Sequence, residues 1–325
     1  MFLYGDVFLN KNFKGVIDFE EEYIFNLEAP VTNSFVAPAF HKVNLSIDNN
    51  VFLQSFKKMP YAVNLANNHI MDYGDVGFND TVSFLNKNGI RYFGAGDVDD
   101  NFNNPLIVDE HGFKTAYFGY CCVSTLAKKE PETLKDCAMI DLEKIKIDID
   151  DVKDKVDYII ISLHWGDEEV HIPKPDDVIK ARTIIDFGAD LILGHHAHVI
   201  QSKEIYKGKH IFYGLGNFIF PDFSVNALFS ESRMHINYNK EQLPQNECSI
   251  EVNVDSNKKI SYKKIRWING SIVRETINLS KTVTTNSSIY TFIKNIYLKR
   301  LAIQGFIRRP RIPTLSNLTS FFRKY

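Results

Sequence analysis

The stretch Gly188-Ala189-Asp190-Leu191-Ile192-Leu193-Gly194-His195-His196-Ala197-His198 decides how this chain reads. A short run, Asp190–Leu193, lies between two glycines, and three histidines follow within four residues. Consecutive apolar residues bounded by turn formers describe a strand buried on both faces, as in a parallel sheet. Such a strand delivers whatever follows it to the carboxyl edge, where open α/β sheets bind ligands. His196 and His198 are two apart, so in an extended turn they project to the same side and are candidate metal ligands. His195 then faces away, toward a supporting hydrogen bond.

Working outward, Met1–Tyr4, Tyr23–Phe25, Tyr61–Leu65, Val156–Leu163 and His210–Tyr213 also read as buried strands. Helix patterns lie between them. Phe78, Val82 and Leu85 fall at i, i+4 and i+7 and stop at Gly89; Val178, Ala181 and Ile185 follow Pro175 and stop at Gly188. This alternation predicts an α/β fold with a largely parallel central sheet. From about Arg233 to Trp267 the pattern changes to hairpins. Met234–Tyr238, Ser249–Val254 and Lys259–Ile265 are strand-like, with Asp255-Ser256-Asn257 as a turn.

The carboxyl ends of these strands carry Gly5-Asp6, Asn26-Leu27-Glu28, Asn67-Asn68-His69 and His164-Trp165-Gly166, beside the histidine run. A single strand-ending aspartate is usually a helix cap, and a single histidine usually an interior residue. Five strand ends bearing a carboxylate, an amide or an imidazole are hard to explain by capping. Without a thiolate, that donor set suits manganese, iron or zinc. Cys121, Cys122, Cys137 and Cys248 show no metal-type spacing and read as reduced thiols. Asp72 either orients His69 or caps the helix that starts near Gly74. Trp165 reads as a packing wall and Glu168 as a loop acid. Asn217, after a strand and Gly216, either borders the site or occupies a turn.

These motifs, with Gly5–Leu9, Asn26–Thr32, Asn64–Gly74, Gly94–Gly96, Ser162–Gly166, Tyr206–Lys209 and Gly214–Phe218, occur in the order found in the CapA family. These are the capsule and poly-γ-glutamate biosynthesis proteins, related to the calcineurin-like metallophosphoesterases, and the chain resembles them over roughly residues 1 to 220. The resemblance implies a four-layer α/β/β/α metallophosphoesterase-like sandwich, and the charge and spacing of the tail add a basic helical appendage after it. We expect residues 1–270 to form the domain and 271–325 the appendage. The resemblance further implies one or two divalent metal ions held by Asp6, Glu28, Asn68, His164, His196 and His198. Hydrogen bonds from Asn26, Asn67, His195 and Asn217 would support these ligands. Metal-activated water would then attack a phosphoester, with His69 as general acid and Asp72 behind it. One position departs from the broader phosphoesterases, whose first strand carries Asp-x-His: here it is Phe8, and the CapA family itself commonly lacks that histidine.

Charge is uneven. No acidic residue follows Glu275, whereas Lys281 to Lys324 carries nine lysines and arginines. Tyr290, Phe292, Ile293, Ile296 and Tyr297 sit at helical spacing within that tail. It reads as a helix docked on an acidic body, or as a contact for anionic lipid, a polyanion or a synthase complex. The net charge of −2 does not by itself argue for or against nucleic acid, and no nucleic-acid partner is expected. With no leader pattern before the first strand, a cytoplasmic, at most membrane-peripheral, location is expected. The leading expectation is a phosphoesterase-type hydrolase of surface-polymer biosynthesis. A non-catalytic polymer-binding scaffold and a metal-dependent γ-glutamyl amide hydrolase or transferase are the alternatives.

Overall fold

The computed structural model describes residues 1–308 apart from positions 37, 40, 41, 101, 104, 126–134, 229–234, 244, 245 and 269. Arg233 and Met234, at the start of the expected hairpin region, and the tail residues Arg309, Arg311, Arg323 and Lys324 lie outside the described residues. In chain order the strands begin β1 (Phe2–Val7), β2 (Tyr23–Leu27), β3 (Ala62–Asn64), β4 (Arg91–Phe93), β5 (Ala95–Asp97), β6 (Leu106–Glu110), β7 (Phe113–Cys121), β8 (Lys135–Cys137) and β9 (Tyr158–His164). They continue as β10 (Leu191–His195), β11 (Lys203–Tyr206), β12 (Lys209–Phe212), β13 (Asn217–Ile219), β14 (Phe223–Leu228), β15 (His235–Lys240), β16 (Ser249–Val254), β17 (Ile260–Ile268) and β18 (Ser271–Glu275). The helices are α1 (Asn49–Ser55), α2 (Gly74–Lys87), α3 (Leu142–Val152), α4 (Pro175–Phe187) and α5 (Ser287–Arg308).

Two sheets carry the fold. One has the order β18-β17-β16-β1-β2-β3-β4, with β13 also paired to β1; the other runs β11-β12-β10-β9-β7-β6. β1 to β4 are mutually parallel, as are β7, β9, β10 and β12. Three apolar layers separate the elements. Leu3, Ile24, Ala62 and Phe93 of the first sheet meet Tyr117, Ile160, Leu191 and Phe212 of the second. On the far face of the first sheet, Tyr4, Phe25 and Val63 pack with Phe52 of α1 and Phe78 and Leu85 of α2. On the far face of the second, Ile159, Ile161 and Ile192 pack with Ile145 and Ile149 of α3 and Val178 and Ile184 of α4. Helix, sheet, sheet, helix: this is the expected α/β/β/α sandwich. The first sheet extends past the boundary expected at residue 270, because β18 pairs antiparallel with β17.

Backbone proximity at the carboxyl edge explains two glycines. A Cβ at Gly194 would sit 1.8 Å from Tyr213 O and 2.8 Å from Trp165 Nε1, and one at Gly5 would sit 1.9 Å from Gly216 O. The glycines thus let the 213–217 backbone run against both β1 and β10, just before Asp6 and His195. Gly194→Ala must push strands apart and disturb the Trp165 Nε1–Tyr213 O hydrogen bond of 2.9 Å. Overpacking of this kind costs about 3 kcal/mol or more. Thermal unfolding followed by circular dichroism should show Tm lower by roughly 5–10 °C; an unchanged Tm contradicts the close approach.

Helix α5 docks on the body. Tyr290 is buried against Val170 and Ile172, with Ile293 and Tyr297 alongside. Its hydroxyl donates to Asp167 Oδ2 (2.6 Å), which Lys294 Nζ also reaches (2.5 Å). The helix is therefore seated on the loop that follows His164.

Candidate metal centre

Strand polarity places the chemistry. β1, β2, β9 and β10 end at one edge, and a register irregularity between Leu3 and Asp6 accompanies the turn of Asp6 inward. Asp6, Glu28, His164 and His195 are all buried, as are His196 and His198. Burying this many polar groups is costly unless each finds a partner.

Asp6 is satisfied by the protein. Its Oδ1 accepts from Asn26 Nδ2 (2.9 Å) and lies 3.0 Å from His195 Nδ1; its Oδ2 accepts from His196 N (3.1 Å) and lies 3.6 Å from His198 Nδ1. Although burial opposes it, the His195 hydrogen bond and surrounding histidines hold the Asp6 carboxyl well below the usual range. Asp6 ties the histidine loop to β1. Asn26 also donates to Glu28 Oε2, and its own carbonyl accepts from Asn64 Nδ2 (3.0 Å), which fixes the amide's orientation. Asn67 holds the next loop through Leu27 O (2.7 Å) and His69 N (3.0 Å). His198 Nδ1 lies 2.9 Å from Asn217 Oδ1, and β13 pairs Asn217 directly with Asp6.

The loop reaches this arrangement by a different route from the extended turn read in the sequence. His196 and His198 both take positive φ, 81° and 55°. For non-glycine residues this conformation is sparsely populated and is held by its surroundings. The Asp6 carboxylate that receives His196 N supplies part of that hold.

Glu28, His164 and His196 each offer one donor atom within 4.8 Å of the others. Asp6 and His198, expected as ligands from the sequence, lie outside that group but contact it through hydrogen bonds and charge. Asn68, also expected as a ligand, borders it: Asn68 Oδ1 is 2.9 Å from His164 Nε2, with Glu28 Oε1 3.3 Å from the same nitrogen. In the tautomer that carries the ring proton on this nitrogen, Asn68 Oδ1 is the oxygen that accepts it. Glu28 Oε1, His164 Nδ1, His196 Nδ1 and Asn217 Nδ2 are buried with no hydrogen-bond partner. Asn217 Nδ2 is a donor and plays no part in this, but the lone pairs left over on Glu28 Oε1, His164 Nδ1 and His196 Nδ1 are what a divalent cation satisfies, so these residues fit the ion.

Electrostatics agree. Burial, and then the Asp6 charge, push Glu28 up to about 7. Burial lowers His164, and burial together with His164 lowers His196, so both rings are neutral and able to ligate at neutral pH. Burial works against His198, but Glu28, Glu168 and Asp6 raise it. A cation must therefore displace the proton that Glu28 holds below about pH 7. We expect apparent Mn²⁺ affinity to fall about tenfold per pH unit below 7, with proton release on binding. Calorimetry in two buffers of different ionisation enthalpy checks this, and pH-independent binding contradicts it.

Beside the cluster, His69 Nδ1 lies 2.6 Å from Asp72 Oδ2. Asp72 is buried, accepts from Leu45 N (2.6 Å) and pairs with Lys42 Nζ (2.5 Å), which also donates to Asn68 O. It does not cap α2, whose N-cap is Tyr73 without a side-chain cap bond. Lys42 and Asn64 were not foreseen: Lys42 lies in a segment without periodicity, and Asn64 sits inside an otherwise apolar strand. At the position of the missing first-strand histidine, Phe8 packs on Phe220 and Phe223, and Phe220 edges the His198 ring at 4.8 Å. Trp165 is a buried wall. Glu168 is exposed and pairs with Lys240 at 3.4 Å. All four cysteines are buried, and none is joined in a disulfide.

The chain is 30% identical over 243 residues to the capsule biosynthesis protein CapA of Bacillus anthracis, covering 68% of this chain and 59% of that one. It is 32% identical over 209 residues to the PGA biosynthesis protein CapA of Bacillus subtilis, covering 61% and 55%. The chain thus spans somewhat over half the length of these relatives. Among solved structures, the calcineurin-like phosphoesterase YfkN of Bacillus subtilis aligns over 75% of this chain and 72% of that one, with 17% identity and a TM-score of 0.36. A model of the family described as bacterial capsule synthesis protein PGA_cap matches residues 6–222. That span holds well over half the chain and every strand-end residue from Asp6 to Asn217, and the chain belongs to the PGA_cap family of bacterial capsule synthesis proteins.

Proposed function

We propose that this protein is a metal-dependent hydrolase of the phosphoesterase type, acting on an ester of an anionic surface polymer or its precursor. The observation that carries the reading is the Glu28–His164–His196 group, with its unpartnered buried atoms, beside the His69–Asp72 pair. A divalent ion of manganese, iron or zinc, held by Glu28, His164 and His196 with Asn68 and His198 adjoining, would supply Lewis acidity and acidify water near neutral pH. The chain's own groups supply the rest. Asp6 and Asn26 hold the histidine loop and the Glu28 carboxylate in place. Asp72 accepts from His69 Nδ1 and so fixes the ring, and the imidazolium form gives its Nε2 proton to the departing oxygen, leaving the neutral ring with its proton on Nδ1. Lys42 balances the Asp72 charge and ties that pair to the Asn68 backbone.

The test is turnover by the purified chain with Mn²⁺ on phosphomonoesters, phosphodiesters and γ-glutamyl peptides. Metal-stimulated hydrolysis of a phosphoester supports the reading. Demonstrable metal binding with no turnover of any class favours the polymer-binding scaffold, and turnover of γ-glutamyl peptides alone favours the amide hydrolase.

A second reading concerns α5. Ile289, Phe292, Ile296, Ile303, Phe306 and Ile307 are exposed along one side of it, away from the docked Tyr290 and Tyr297. Lys299 and Arg300 flank that stripe, and no acidic residue follows Glu275. A basic, apolar-striped helix suits an anionic lipid surface, on which it lies in the plane of the headgroups. No helix among the described residues is long and apolar enough to cross a membrane. Flotation with phosphatidylglycerol vesicles should carry the full chain and release it in Phe292→Ser/Ile296→Ser. Equal flotation of both removes this role, and association of the protein with itself in place of vesicles assigns the stripe to a second copy.

A further inference from the structure

Away from the metal centre, the inner face of β17 changes character along its length. Ile260 and Tyr262 extend the apolar layer between the sheets, while Ile265 and Trp267 pack on the outer face. By strand alternation Lys264 and Arg266 continue the inner row. Lys264 stands opposite Ile250, a fully buried member of that layer. Both cations are half-buried, and with Tyr297 of α5 and Ile200, Ile277 and Leu279 they line a cavity of about 570 Å³.

Among the described residues, no acidic side chain lines this cavity. Among the described residues neither Lys264 nor Arg266 makes an ion pair, and Arg266 Nε is buried without a hydrogen-bond partner. Glu275, opposite Lys264 in the hairpin register, is exposed and outside the wall. Lys203 lies nearby, its backbone N–H donating to Ser280 O (2.8 Å) at the rim. Burial first, and the Lys281 charge second, lower the Lys203 pKa, which places two further cations beside this region. Glu247 and Glu275 act from outside the wall, on the Cys248 side, but partly desolvated cations on a wall that itself carries no acid are costly, and an anion offsets that cost.

We propose that this cavity is a second binding site, taking the carboxylates of a polyglutamyl chain. The inference rests on the reading above that the protein handles a capsule polymer. An arginine fork pairs bidentately with a carboxylate, and Lys264, about 7 Å along the strand, offers a second charge. The apolar wall accommodates the methylenes that separate carboxylates in such a polymer. An inorganic anion would engage the cations and leave that wall and most of the volume unused. Gln201, which also lines the cavity, is three residues after His198, at most about 11 Å of chain from the metal loop. The cavity thus lies a short length of chain from the metal loop.

The test is calorimetric titration of the Mn²⁺-loaded full chain with a γ-glutamyl decamer and, separately, with inorganic phosphate. Lys264→Gln/Arg266→Gln should weaken decamer binding at least tenfold with the circular dichroism spectrum unchanged. Arg266→Lys, which keeps the charge, should stay within about threefold of wild type. Phosphate should bind at least tenfold more weakly than the decamer. No decamer binding by wild type, an unchanged affinity in the double variant, or phosphate bound as tightly as decamer each overturns the proposal. The double variant should still turn over small phosphoesters as wild type does. Glu28→Gln, which disables the other site, should keep the part of the decamer affinity that the double variant loses. Failure of the hydrolase reading thus shows as absent turnover with this binding intact.

Discussion

Replacing His69 by asparagine is expected to lower metal-stimulated turnover by about 10²–10⁴-fold and leave bound metal unchanged. The side chain touches the reacting region only through its ring, and none of the three atoms that converge in the candidate metal group belongs to it. Asparagine keeps a hydrogen-bonding group near Asp72 but has no group that can give up a proton near neutral pH. Asp72→Asn should follow in the same direction with a smaller loss, because the ring remains and only its orientation and tautomer are freed. Steady-state kinetics with metal analysis on the same samples reads both. Turnover within about threefold of wild type in His69→Asn would remove His69 from the chemistry and favour a metal site that binds without cleaving.

Glu28→Gln should have the other large effect, and its sign differs between metal-loaded and metal-free protein. Loss of a supporting hydrogen bond alone weakens a metal site about 10–100-fold. Loss of a ligating carboxylate should cost at least about 100-fold in Mn²⁺ affinity and abolish the rise in Tm that Mn²⁺ gives wild type. In the metal-free protein Glu28 is raised from 4.5 to about 7, so the folded state binds its proton more tightly than the unfolded chain does. The stability this gives is present below about pH 4.5 and lost as pH rises through 7. Glutamine does not titrate. The stability difference should therefore shift in the variant's favour between pH 5 and 8 under chelation. Denaturant unfolding at both pH values measures it, and a constant difference contradicts the buried, cation-seeking carboxylate.

Much of this arrangement was legible because it rests on strand periodicity. Leu191–Leu193 and Tyr158–Ile161 are apolar throughout, so the carboxyl ends of these strands, and the residues there, could be placed at one edge. What escaped had conflicting local signals. In α3, Ile145, Ile147 and Ile149 alternate as in a strand, yet Ile145 and Ile149 are buried at helical spacing and Ile147 is 60% exposed. β7 carries Lys114 and Thr115 near its start and Gly119 within it, which blurs a buried nine-residue strand. In the site, residue types were readable but their division of labour was not. Whether Asp6 ligates or anchors depends on where His196 N falls, and that is fixed by left-handed backbone at His196 and His198 that no spacing rule reveals. Asn217 looked equally like a turn residue. Only the pairing of β13 with β1 sets it against Asp6 and His198.

The central claim is that the buried edge where both sheets end is a metal centre built on Glu28, His164 and His196. Anomalous diffraction from crystals of the protein grown with Mn²⁺ tests it most directly. The expected result is a peak about 2.0–2.3 Å from one atom of each of those three side chains, absent from Glu28→Gln crystals grown identically. No peak at that edge at millimolar Mn²⁺, or one coordinated by none of the three, would contradict it.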